Sequence, residues 1–204
     1  MKLNKKIIIG IILVMTPIIV ICGIIVGRKI ITPSNEDILN ELKNIKMYSC
    51  EVTYTFENIR DEFTEETKQY YRFDKGSRIE FQDYYKRIKV YNGSEIKVEE
   101  NDDEYTLDKN LDVIYPLAFI ENIVSNQISS PISELKEEWG DGEYLKVNIE
   151  YNSNIKHLNR GEFYIDKKQK IPVMLRILDE NDEERVVIKY KNFKYEKTLD
   201  ENLF

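Results

Sequence analysis

A single histidine, His157, two cysteines, Cys22 and Cys50, and two acidic runs are the residues whose types could do chemistry in this chain. Nucleophilic catalysis needs a base within hydrogen-bond reach of the nucleophile, and a zinc site needs three or four Cys, His or carboxylate ligands around one ion. His157 stands in the polar stretch 154–160 with no second histidine at ligand spacing, so it reads as a surface-loop residue. Cys50 falls at an apolar position of an alternating segment, where a free thiol behaves as a small hydrophobe. The runs 99–104 and 179–184 could offer carboxylate oxygens to a hard cation, but neither has the spacing or the glycine of an EF-hand loop. They read as solvated hairpin tips. The sequence has no glycine-rich phosphate loop, GxSxG elbow or HExxH. These residues predict no catalytic group, no metal site and no cofactor, and therefore a protein that is not an enzyme.

The elements that would position any site come from composition and pattern. A chain of 204 residues that is 42% hydrophobic and 33% charged, with 14 Tyr, 8 Phe and only 8 Gly, suits one folded domain rich in strand formers. Of its 30 basic residues five (Lys2, Lys5, Lys6, Arg28, Lys29) lie in the first 30 positions, which hold no acid, leaving 25 against 37 acidic residues for the rest. Such an acidic body repels phosphate backbones, so nucleic-acid binding is excluded.

Ile7 to Val26 is an apolar run long enough, at about 1.5 Å per residue, to cross a hydrocarbon core of about 30 Å. The lysines before it place that end in the cytoplasm and the body outside it. Cys22, after Ile19-Val20-Ile21 and before Gly23, sits where a bacterial lipoprotein signal places its acylated cysteine. Ile21 is larger than the residue such signals prefer there, and apolar Ile24 to Val26 continues beyond it. An acylated Cys22 and an uncleaved signal anchor both stand, and both tether the domain to a membrane. The expected organisation is an anchor over residues 1–29, a linker over 30–34 and one domain over 35–204.

Ser34 before Glu36 and Asp37 reads as an N-cap, and the stripe Ile38, Leu39, Leu42, Ile45 predicts a helix over 35–47. From Tyr48 the period drops to two, with Cys50, Val52, Tyr54 and Phe56 alternating with polar residues. Alternating segments follow at 68–73, 78–82, 87–91, 95–99 and 105–107, with Asn92-Gly93 a hairpin signal. Residues 111–127 carry Phe119, Ile120 and Ile123 in an apolar set too broad for an exposed helix, which should lie on the concave face of the sheet. After Pro131, Trp139 and a Gly140-Asp141-Gly142 turn, strands are expected at 144–151, 161–166, 172–178 and 185–195. The pattern gives an α+β, mostly β fold: nine or ten antiparallel strands in a curved sheet, with two helical insertions. Phe119, Ile120, Ile123 and Trp139 are the candidate cavity or core residues.

The C-terminal order, GEFYID into Lys167-Lys168, Pro172 opening a strand, an acidic hairpin, a strand into Tyr190-Lys191-Asn192-Phe193 and a closing Leu199-Asp200-x-x-Leu203-Phe204, resembles the closing hairpins of the LolA/LolB-like lipoprotein-localisation fold. With Trp139-Gly140 and the anchored N-terminus, the likeness extends over most of the body and is similar to the clostridial GerS-like spore germination lipoproteins. The resemblance implies an unclosed barrel wrapped around helices. It also implies a non-enzymatic partner of an N-acetylmuramoyl-L-alanine amidase of the CwlD type, acting in formation of the muramic-δ-lactam of the spore cortex, between the forespore membranes. The alternative is a lipid- or lipoprotein-binding carrier or sensor using the concave apolar face. A bulky Phe119 or Ile120 filling that face favours the first, and an open apolar cavity the second. Unpaired sheet edges would also permit a homodimer by strand exchange, for which the Asn92-Gly93 hairpin and the strand 185–195 are the candidates.

Overall fold

The computed structural model describes residues 13, 15–24, 33–57, 62–136, 142–151 and 157–204. Trp139, Gly140 and Asp141, the basic residues Lys2 to Lys6, Arg28 and Lys29, and most of the expected linker lie outside the described residues. The chain divides into two units, Met1–Ile38 and Leu39–Phe204.

In the first unit residues 15–24 are helical and Cys22 is exposed. Among the described residues no helix is long and apolar enough to cross a membrane. Ser34 caps the next helix as its sequence predicts. The Asp37 amide donates to Ser34 Oγ and the Ser34 amide to Asp37 Oδ2, both at 3.1 Å, a reciprocal capping box. That helix, α1 (Asn35–Lys43), is shorter than the apolar stripe suggests. The Asn44 side chain donates to the Asn40 carbonyl at 2.8 Å and closes it, and Met47 already belongs to the first strand.

Among the described residues the second unit is built on eleven antiparallel strands: β1 (Met47–Glu57), β2 (Glu62–Arg72), β3 (Gly76–Phe81), β4 (Arg87–Asn92), β5 (Glu95–Glu100), β6 (Asp103–Asp108), β7 (Gln127–Lys136), β8 (Glu143–Glu150), β9 (Arg160–Asp166), β10 (Ile171–Leu178) and β11 (Glu184–Tyr195). They form one unclosed sheet in the order β6-β5-β4-β3-β2-β1-β11-β10-β9-β8-β7. Two meanders, β1–β6 and β7–β11, are joined at the centre by the pairing of β1 with β11, which sets Tyr54 opposite Ile188 and Val52 opposite Tyr190.

This order corrects the edge assignment. The strand 185–195 is the central partner of β1 and the Asn92-Gly93 hairpin joins two inner strands; the edges are β6 and β7. The β4–β5 turn is also displaced by one residue. Asn92 pairs with Glu95, so Gly93 and Ser94 are the central pair, with Gly93 at φ +69°. The sequence reading missed β7. Its register shifts between Ser129 and Ser133, around Pro131, and a proline that cannot donate to a ladder is tolerated at such an edge irregularity.

One sheet face carries Tyr48, Cys50, Val52 and Tyr54 of β1, with Ile79 of β3, Leu145, Val147 and Ile149 of β8, Phe163 of β9, Leu175 of β10 and Ile188 of β11, all buried. At roughly 1.5–3 kcal/mol per fully buried side chain, this face is the main source of stability. The segment after β6 lies on it in three short pieces instead of one helix over 111–127. A 3-10 turn spans Lys109–Leu111, a second Tyr115–Ala118, and α2 Ile120–Ser125. Phe119, extended at φ −71° and ψ 124°, separates the last two.

Candidate functional site

The chain's own segment 112–124 lies on the inner face over β1 to β4 and β11. Phe119 is 3% exposed and clusters with Ile79 and Phe81, with Tyr91 and Tyr115 packed around them. Its ring meets that of Tyr91 edge-on at 5.0 Å. Ile120 and Ile123 are 0% and 1% exposed. Three of the four residues singled out from sequence are thus brought into one layer, while Trp139 lies outside the described residues.

Polar groups fix this segment to the strands beneath it, because every buried backbone group on a non-helical stretch needs a partner. Tyr190 on β11 donates its hydroxyl to the Ala118 carbonyl at 2.8 Å, and Tyr54 on β1 to the Tyr115 carbonyl at 3.1 Å. The Ile120 amide donates to the Tyr48 hydroxyl at 3.2 Å, and that hydroxyl donates to Glu121 Oε2 at 3.0 Å. Ser77 on β3 donates to the other oxygen of Glu121. Burial pushes the Glu121 carboxyl up, and the hydrogen bonds from Ser77, its own amide and Tyr48 oppose that rise without cancelling it.

Beside this lies a layer of paired charges that the sequence reading did not find. Arg87 on β4 donates to Glu65 on β2 at 2.8 Å and stacks over Phe81, 3.7 Å from its centroid. Lys89 pairs with Asp112 at 2.6 Å, and Tyr91 donates to the same carboxylate at 2.7 Å. Tyr115 donates to Glu65. Gln69, 1% exposed, donates to the Tyr54 hydroxyl at 2.6 Å. Glu65, Thr67 and Gln69 occupy inner-face positions of β2, so the start of that strand shows no apolar alternation.

What this arrangement can do chemically is limited by the state of its groups. The Cys50 thiol is pushed far up, first by burial and then by the charge of Glu121, which keeps it protonated and inert as a nucleophile. Burial also raises the hydroxyls of Tyr48, Tyr54 and Tyr190 well above 10.0, so they donate hydrogen bonds and do not act as bases. His157 is exposed in a turn. Among the described residues no group of three or more His, Cys, Asp or Glu could hold a metal ion.

The acidic hairpin 179–184 is less solvated than expected, since Asp179 is 2% exposed. Burial works against its charge, but Arg185 at 2.6 Å and the amides of Asn181 and Glu183 hold its carboxyl below the ordinary value. On the outer face a mostly polar groove of about 290 Å³ is lined by Glu51, Thr53, Glu66, Lys68, Gln82 and Lys191, with Val52 and Thr67 also reaching it.

No curated protein sequence matches this chain. Among solved structures, an uncharacterized conserved protein from Thermus thermophilus is similar in fold, with TM-score 0.55 and 16% identity over 82% of this chain and 91% of that one. The CwlD amidase from Clostridioides difficile in complex with the GerS lipoprotein gives TM-score 0.47 and 20% identity over 79% of this chain and 93% of the matched one. A LolA superfamily protein, NE2245 from Nitrosomonas europaea, gives TM-score 0.44 and 8% identity over 83% and 96%. A family model described as sporulation protein YdcC-like matches residues 5–204, and the chain therefore belongs to the YdcC-like sporulation protein family.

Proposed function

We propose that this chain is a non-enzymatic, membrane-anchored accessory protein that binds and activates a CwlD-like N-acetylmuramoyl-L-alanine amidase during formation of the muramic-δ-lactam of the spore cortex. The observation that carries the reading is the occupied inner face. Phe119, Ile120 and Ile123 are buried on the concave face, and hydrogen bonds with Tyr48, Tyr54 and Tyr190 hold their segment in place. Apolar side chains that pack within the fold leave its surface to meet a partner. Membership of a sporulation family and the likeness of the closing hairpins to GerS-like proteins support the same reading.

The anchor, through an acylated Cys22 or an uncleaved apolar segment, puts the body on the extracytoplasmic side, facing the cortex between the forespore membranes. A homodimer by strand exchange would use β6 or β7, the strands with an unpaired edge.

The test mixes the full chain in lipid nanodiscs with the purified amidase at equal ratio, then measures cleavage of peptidoglycan and retention of the amidase's zinc. Activity and zinc occupancy should both rise. An amidase equally active and equally metallated without this protein eliminates the reading. Stoichiometric extraction of phospholipid or lipoprotein by the chain would put the carrier reading in its place.

A further inference from the structure

Antiparallel pairing brings the ends of β1, β3, β5, β8 and β10 and the starts of β2, β4, β6, β9 and β11 to one end of the sheet. The Gln82 amide donates to the Glu66 carbonyl and the Asn101 amide to the Lys86 carbonyl, both at 2.9 Å, so the tips adjoin in sequence around the rim. This end exposes large aromatic rings. Phe63 is 57% exposed, Tyr85 57%, and Tyr84 fully. Phe63 stacks on Phe56 at 5.7 Å, and Phe56 on buried Tyr54 at 6.2 Å, so the exposed ring ends an aromatic ladder rooted in the core. Clustered exposed aromatics beside charged residues mark a protein interface.

The charge around them specifies what kind of face fits, because the cations beside Tyr85 are already paired, Lys86 with Glu99 and Arg87 with Asp83 and Glu65. Glu57 and Glu62 are opposite one another at the end of the β1–β2 ladder, and Glu184, itself paired with Arg176, lies beside Glu57. Desolvation first, then the neighbouring Glu184 and Glu62, hold the Glu57 carboxyl above its ordinary value against the nearby Arg176. A guanidinium placed over one of the rings would relieve that repulsion and gain a cation–π contact. The chain already contains this arrangement inside its core, where Arg87 lies over Phe81 and pairs with Glu65.

We propose that this rim, with Phe63, Tyr84 and Tyr85 as anchors and Glu57 and Glu62 as counter-charges, is the surface that docks the amidase through a basic, arginine-bearing face of that enzyme. The inference rests on the amidase reading above and names its interface. The opposite end supplies the control. Phe73, at the β2–β3 turn, is 66% exposed, with Lys46 over its ring at 4.1 Å.

The test titrates the zinc-loaded amidase against the full chain in nanodiscs, comparing wild type with Phe63→Ala/Tyr84→Ser/Tyr85→Ser, Glu57→Gln/Glu62→Gln and Phe73→Ala, each checked for native circular dichroism. The aromatic triple should weaken binding about tenfold or more. The Glu57/Glu62 double should weaken it and flatten its salt dependence, and Phe73→Ala should bind as wild type does. Wild-type binding that survives the rim substitutions unchanged, or that falls equally with Phe73→Ala, overturns the rim assignment and leaves the amidase reading standing. Wild type that does not bind overturns both. Should the aromatic triple fail to fold, the Glu57/Glu62 double decides, because isosteric glutamines leave the ladder in place.

Discussion

The Tyr48 hydroxyl accepts the amide of Ile120 at 3.2 Å and donates to Glu121 at 3.0 Å, joining the second residue of β1 to the start of α2 across 73 positions of sequence. One hydroxyl therefore serves as both acceptor and donor at the point where the inserted segment meets the sheet. It is also the place where the helical insertion is oriented: an acidic side chain in the first turn complements the exposed amides there.

Tyr48→Phe keeps the ring contacts with Tyr71 and Phe193, each at 5.3 Å, and removes only the hydroxyl. It leaves the Ile120 amide and one oxygen of Glu121 without their partner, and should cost about 1–3 kcal/mol. Urea denaturation with an unchanged slope and a lower midpoint is the expected result. An unchanged midpoint would show that the hydroxyl does not hold α2.

Two glycines separate backbone strain from collision. Gly76, at φ +103°, would place a Cβ 2.1 Å from the Tyr91 carbonyl oxygen, whereas Gly93, at φ +69°, has nothing within 4 Å of that position. Gly93→Ala should therefore cost about 1–2 kcal/mol from conformation alone. Gly76→Ala carries strain and a clash with backbone that cannot yield, and should cost about 3 kcal/mol or more. Equal midpoint shifts for the two variants would contradict the β3–β4 register.

These residues also show what was legible in the sequence. Where one face is apolar the period of two is visible, so β1, β8, β9, β10 and β11 are read within a few residues of their ends. β2 is half hidden because its inner face carries Glu65, Thr67 and Gln69, whose burial depends on Arg87, Tyr115 and Tyr54 from other elements. Phe119, Ile120 and Ile123 were visible as an apolar cluster, but the break at Phe119 was not, since it arises where Tyr54, Tyr48 and Tyr190 take up backbone groups of 115–120. Tertiary hydrogen bonds of that kind leave no local pattern. The rim aromatics Phe63, Tyr84 and Tyr85 were invisible for a related reason: they lie in separate hairpins that only the strand order brings to one end.

The two enclosed glutamates should shape acid stability in opposite senses. Burial first, opposed by its hydrogen bonds, raises Glu121 above its ordinary 4.5, so the folded chain holds that proton more tightly than the unfolded chain. Its contribution to stability is present at low pH and is lost as pH rises from about 4.5 through the raised value. For Glu162 burial also works against the charge, but Lys146 at 2.6 Å, Tyr164 and Arg176 outweigh it and the carboxyl lies below 4.5. Its contribution is present above 4.5 and is lost as pH falls through the lowered value. Denaturation midpoints across the acid range should show Glu121→Gln removing the decline above 4.5 and Glu162→Gln removing the decline below it. A Glu121→Gln profile as steep as wild type above 4.5 would assign that decline to another group.

The last prediction concerns the two thiols. Cys22 is exposed and Cys50 is 5% exposed, its thiol raised by burial, then by Glu121 and Glu51. Thiolate is the reactive form, so a disulfide reagent reaches Cys50 only through opening of the β1 region. In a Cys22→Ser chain the single thiol should react slowly under native conditions, at a rate set by the free energy of opening and rising with denaturant. Tyr48→Phe, two positions away on the same strand, should speed that reaction about tenfold for each 1.4 kcal/mol it removes. The wild-type chain from cells distinguishes the two anchor readings at the same time: a free Cys22 gives a second, fast-reacting thiol, and an acylated one does not. Metabolic labelling with palmitate should then be lost in Cys22→Ser only where the fast thiol is missing from wild type. Labelling that persists in Cys22→Ser would refute acylation at that site, and rapid reaction of Cys50 in the folded chain would refute its burial beneath Glu121.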